Sequence, residues 1–252
     1  QLLPQTLLKQ QNCLAKGRVE EIKSKLADSA VTENPQLTKE FVDLSNDLII
    51  AGRRANSAGA GKPDEKYNAL IERANARVCE YLTKSGWPAE AEVKREGVNA
   101  FMYMISKALP VRVQLEIYPI IAEAVRRNML EKNEYLASYI DRLQIAIGRR
   151  QLFGSQAFVR NGFLVLAPIE RPDRVDERRK EFGMEPLRSY EQFLESSYRM
   201  PLVRSVTEPE TQEKGPKNPV AATVPPSPAL ALAPDPADEA VIKVATALVT
   251  LD

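Results

Sequence analysis

Apolar residues recur at three- to five-residue steps from Leu14 to Leu26, through Val19 and Ile22, which predicts a short amphipathic helix after a polar, glutamine-rich start. Asn34-Pro35 stops it, and Phe41, Val42, Leu44, Leu48 and Ile49 predict a second helix from Thr38 to Ala51 before Gly52 opens a small-residue break. Asp64 to Thr83 is a third helix with Tyr67, Leu70, Ile71, Ala74, Val78 and Leu82 on its inner stripe. Ser85-Gly86-Trp87-Pro88 then ends one helix and starts another, so the only tryptophan sits at a helix junction, where a packing wedge is the expected role. In the fourth helix, Glu90 to Ala108, the stretch Ala100 to Ile105 is apolar nearly all round, which marks it as the central core element. Pro110 separates it from Val111 to Leu130, with a kink expected near Pro119, and Glu134 to Ile147 is the sixth helix.

Period-two patterning appears only afterwards. Gln156 to Arg160 and Phe163 to Ala167 flank Asn161-Gly162, the dipeptide suited to a type I′ turn because both central residues need positive φ. Pro172-Asp173 then opens a charged helix closed by Gly183, and Pro186 to Tyr198 is a last helix. The expected fold is mainly α, a multi-helix domain with one β-hairpin at about 156–167. It spans 1–204, with an N-terminal helical extension over 1–62.

Beyond Arg204 the composition turns to Pro, Ala, Thr and Glu, and residues 205–252 read as a low-complexity tail that cannot bury enough surface to fold alone. Val241, Ile242, Val244, Leu248 and Val249 make 239–251 a candidate short docking element.

Composition narrows the function classes. Lys and Arg number 35 against 34 Asp and Glu, so no strong field recommends nucleic acid as a partner. The chain has no histidine, which excludes a Ser-His-Asp triad, a Cys-His dyad and a His-ligated metal, and no metal or cofactor is expected. Cys13 and Cys79 lack metal-ligand spacing; buried thiols are the favoured reading, with a long-range disulfide as the alternative. The segment Gly59-Ala60-Gly61-Lys62-Pro63 fails as a phosphate loop because Pro63 stands where Ser or Thr would hold magnesium, so it reads as a linker. No apolar run is long enough to span a bilayer. A start at Gln1 suits a processed chain, with an organelle (mitochondrion or plastid) favoured and the bacterial periplasm or exterior as the alternative.

The stretch from Tyr139 to Pro186 carries the most specific pattern. Gly148 ends the sixth helix, Gln151 and Gln156 flank a turn, Gly154 permits close backbone approach, and Asp141 and Arg142 lie upstream. Amides beside an Asp/Arg pair can satisfy the backbone of a tight turn, which is the favoured reading, or present groups to a ligand. With Gly86-Trp87-Pro88, Ala137 to Arg142, Gly148 to Gln156, Pro168-Ile169, Val175-Asp176, Arg178-Arg179, Gly183, Pro186-Leu187 and Tyr190, the chain resembles a family of mostly bacterial, often exported domains of unknown function over about 84–193. The resemblance implies a mostly helical domain with one hairpin and no established reaction. Relatives carry Gln-His-Ala-Asp where this chain has Ser106-Lys107-Ala108-Leu109, so a chemistry based on that His and Asp would be lost here.

Three functions follow. The favoured one is a non-catalytic accessory or structural subunit that binds other protein subunits through its tail and helical surface, with a membrane-associated organellar complex as the kind of host. The second is a histidine-independent enzyme with Asp141 as acid or base and Arg142 or Arg149 orienting an anion, Gln151 and Gln156 donating amides. The third is a small-ligand or peptide-binding module at the hairpin, lined by Phe153, Phe158 and Phe163, although such aromatics more often belong to the core.

Overall fold

The computed structural model describes residues 18–26, 32–57 and 65–204. Cys13, the Gly59 to Pro63 segment, and the tail with its 239–251 element lie outside the described residues. Eight α-helices are described: α1 (Arg18–Ser24), α2 (Pro35–Ser57), α3 (Glu65–Ser85), α4 (Glu90–Ala108), α5 (Val111–Arg126), α6 (Glu134–Ala146), α7 (Val175–Glu181) and α8 (Leu187–Tyr198).

Their boundaries follow from capping chemistry. Asn34 does more than stop the first helix: its Oδ1 accepts from Leu37 N at 3.0 Å, and Pro35 occupies the first turn of α2, where a missing N–H costs nothing. Asn133 caps α6, its Oδ1 accepting from Tyr135 N and Leu136 N at 3.0 and 3.1 Å. At the other end Gly148 adopts φ +77°, with Gly148 N donating to Ile145 O and Arg149 N to Gln144 O, a Schellman closure that turns the chain back toward Asp141. Helix α5 runs through Pro119. Helix α4 is interrupted near its start, where Lys94 takes φ 55° and ψ 171°.

As its composition predicted, α4 is the hub, packing against α2, α3 and α6. Phe101, Met102, Met104 and Ile105 have no exposed surface. Phe41, Tyr81 and Trp87 surround Phe101 with ring centroids 5.1 to 5.8 Å away, and Trp87 meets it edge-on in the wedge role expected for that junction. Burying this apolar surface is the main force holding the helices together.

The hairpin forms as expected, β1 (Ala157–Arg160) against β2 (Phe163–Leu166), with Asn161 and Gly162 at φ 50° and 80°. A third strand, β3 (Leu202–Arg204), pairs parallel with β2 and extends the hairpin into a sheet of order β1-β2-β3. Three residues after a left-handed Arg199 give too little alternation for a strand to be read from the sequence. Beneath the sheet, Leu166, Ile169, Val175 and Leu187 form a second small core with Ala157, Tyr190 and Leu202.

One expectation is corrected: Cys79 is disulfide-bonded, not a buried thiol. Helical spacing reports burial of a cysteine, and burial does not distinguish the two redox states.

Candidate functional site

The loop between α6 and β1 wraps around a single carboxylate. Asp141 is fully buried, and its Oδ1 accepts from Leu152 N at 2.6 Å and Phe153 N at 2.9 Å. Its Oδ2 accepts from Ser155 N and Ser155 Oγ, both at 2.8 Å. Burial lifts this carboxyl above its ordinary pKa, and the four donors pull in the opposite direction. Every neighbour is a donor, so the geometry accommodates the ionised form.

Gln151 closes the loop like a strand neighbour. Its Oε1 accepts from Gln156 N at 2.8 Å, while Nε2 donates to Gln156 O at 3.1 Å and Ala167 O at 2.7 Å. Gln156 in turn donates through Nε2 to Ser138 O and Oγ, tying the loop to α6.

Two arginines and a tyrosine cover the loop's carbonyls. Arg178 Nε donates to Leu152 O at 2.7 Å, Arg179 Nη1 to Phe153 O at 2.7 Å, and Tyr190 Oη to Ser155 O at 3.1 Å. Arg179 is 2% exposed; burial lowers its pKa, and its guanidinium lies 5.1 Å from the Tyr190 ring. Gly154, at φ +70°, allows the loop to pass under α8, because a β-carbon there would come 2.7 Å from Leu187 Cδ1 and 3.0 Å from Ile169 Cδ1.

This places the residues singled out from the sequence. Asp141, Gln151 and Gln156 come together, and their polar atoms are engaged with the protein's own backbone. Arg149 is exposed and its side chain takes no part. Arg142 does not pair with Asp141, since consecutive residues on a helix point about 100° apart and Asp141 faces the loop. Phe153 is buried against Phe182 at 4.4 Å between ring centroids, whereas Phe158 and Phe163 are exposed, contrary to the core placement expected for the hairpin aromatics.

A second cluster was not read from the sequence. Arg142 lies partly buried near Tyr67 of α3 and Tyr103 of α4, and its Nε is buried with no hydrogen-bond partner. Lys107, one turn after Tyr103, holds its Nζ 5.8 Å from the Tyr103 ring, and Tyr103 meets Tyr135 edge-on at 6.4 Å. Burial, reinforced by the Arg142 charge, pushes the Lys107 amine down to about 8. The only sequence signal was Lys107 at i+4 from Tyr103, a spacing that equally suits a solvated face.

Among known proteins, the family of unknown function DUF6624 matches residues 35–203, and the chain belongs to it. The match begins well upstream of residue 84 and takes in α2 and α3. No curated protein and no solved structure matches the chain.

Proposed function

We propose that this chain is a non-catalytic subunit of a larger assembly, docked on a partner protein through the outer face of its small sheet. One observation carries the reading. Phe158, Val165 and Val203 stand in register across the three strands, and Phe163 lies two residues from Val165 on the same face. Phe158, Phe163 and Val203 are exposed by 52%, 44% and 41%. An aromatic and aliphatic row facing water marks an interaction surface more often than a bare one, and Arg160 beside it is a residue type enriched at interfaces.

Other features support the same reading. The Asp141 loop spends its donors and acceptors internally, so it acts as framework and the alternative enzyme or ligand site centred on Asp141, Gln151 and Gln156 loses its chemistry. The missing histidine and the Ser106 to Leu109 sequence agree with a domain kept for its shape. The Cys79 disulfide supports an oxidising compartment, which favours bacterial export, in keeping with the relatives that the chain resembles, over an organelle interior.

The test is Phe158→Asp with Phe163→Asp in the full chain, expressed in its own cell, with native mass read by size-exclusion chromatography. The wild-type chain should migrate far above its 28.1 kDa, and the variant should fall to the monomer mass with unchanged circular dichroism. A monomeric wild type, or a variant that still assembles, overturns the proposal.

A further inference from the structure

Lys107 and Arg142 are the two partly buried cations that the Asp141 framework leaves unused. Neither makes a hydrogen bond or ion pair, and no carboxylate is among the groups acting on either one. That is costly as a purely structural arrangement, since buried charges are ordinarily paired. By contrast Arg178 and Arg179, at comparable depth, have backbone carbonyls on their guanidinium groups.

The surroundings are drawn from five elements. Tyr67 of α3 lies against Gly52 of α2, where a β-carbon would be 3.5 Å from its ring. Tyr103 and Lys107 come from one face of α4, Tyr135 and Arg142 from α6, and Tyr198 from the end of α8 acts on Tyr103. A junction of separate elements can hold its groups at fixed distances, which isolated surface cations cannot do. Tyrosine hydroxyls add neutral donors, so the wall offers two positive charges, donors and aromatic faces without an acidic group.

We propose that the Lys107–Arg142 junction is a binding site for the oxyanion of a small molecule, of the phosphate-monoester class, with the anion bridging the lysine ammonium and the arginine fork. An anion of charge near −2 would neutralise both cations at once, and a guanidinium edge matches two of its oxygens. The site is separate from the sheet face, so its occupancy and the assembly are independent properties.

The experiment uses the full chain and inorganic phosphate, titrated against sodium chloride of matched ionic strength, with binding read by calorimetry and by the thermal unfolding midpoint. Phosphate should raise the midpoint where chloride does not. Arg142→Lys, which keeps the charge and removes the fork, should weaken phosphate by about tenfold, the loss of one charge-assisted hydrogen bond. Lys107→Met should abolish the phosphate response while raising the midpoint of the phosphate-free protein, because an unpaired cation is gone. The Phe158→Asp, Phe163→Asp variant should respond to phosphate like the wild type. A phosphate effect no larger than chloride's, or one that survives in both Lys107→Met and Arg142→Lys, overturns the proposal.

Discussion

Asp141 and Arg178 never touch, yet a single peptide unit joins them: Phe153 N donates to the Asp141 carboxylate at 2.9 Å, and the carbonyl of the same unit, Leu152 O, accepts from Arg178 Nε at 2.7 Å. The peptide dipole is aligned between a buried anion and a cation, so each charge strengthens the hydrogen bond made to the other. The adjacent unit repeats the pattern on its carbonyl side, with Phe153 O bonded to Arg179.

Removing the anion should therefore cost more than one hydrogen bond. Asp141→Asn puts an NH₂ group against backbone donors and leaves part of the loop unsatisfied, with an expected loss of about 3–5 kcal/mol in urea unfolding. Arg178→Met should cost about 1–3 kcal/mol alone, and less in the Asp141→Asn background, because the polarised peptide has already lost its partner. Strict additivity of the two would show that the peptide transmits nothing.

Much of this loop was legible in outline. The spacing of Gly148, Gln151, Gly154 and Gln156 marked a tight turn satisfied by side-chain amides, and Asn161-Gly162 marked the hairpin turn. What could not be read was direction. Asp141 and Arg142 are neighbours in sequence and looked like a pair, but the helix sends one to the loop and the other toward the tyrosines. Strand β3 was equally hidden, since its pairing with β2 depends on where α8 ends and not on any pattern within Leu202 to Arg204.

Gly154→Ala combines two penalties at one position. The backbone is left-handed there, and the new methyl group would meet Leu187 Cδ1 at 2.7 Å. The expected destabilisation is about 2–4 kcal/mol. Leu187→Ala in the same chain relieves only the steric part, so the double variant should lose less than the two single changes added together; a simple sum would mean that the contact carries no strain.

Stability in the absence of a bound anion should rise with pH between about 8 and about 10. The folded Lys107 releases its proton near 8, whereas an unfolded lysine holds it to about 10.4, so across this window the unfolded chain binds more protons. The groups facing it, Arg142 and Tyr103, keep their protons there; Tyr103 is pushed up to about 12 by burial. Above about 10 the trend should reverse, because raised tyrosine values make the folded chain the better proton binder. Denaturant midpoints followed across pH for the wild type and Lys107→Met would test this, and an equal slope in both would refute it.

The parallel strand β3 changes how this end of the molecule comes apart. Its residues follow α8 in sequence yet lie beside a hairpin that precedes α7, and Arg204 is clamped by both guanidinium edges to Glu191, which is 1% exposed. The hairpin cannot peel away without releasing β3, and β3 cannot leave without stranding a buried glutamate inside α8. Residues 157–204 are thereby bound into one cooperative opening unit, whose backbone amides would exchange with solvent together and not strand by strand.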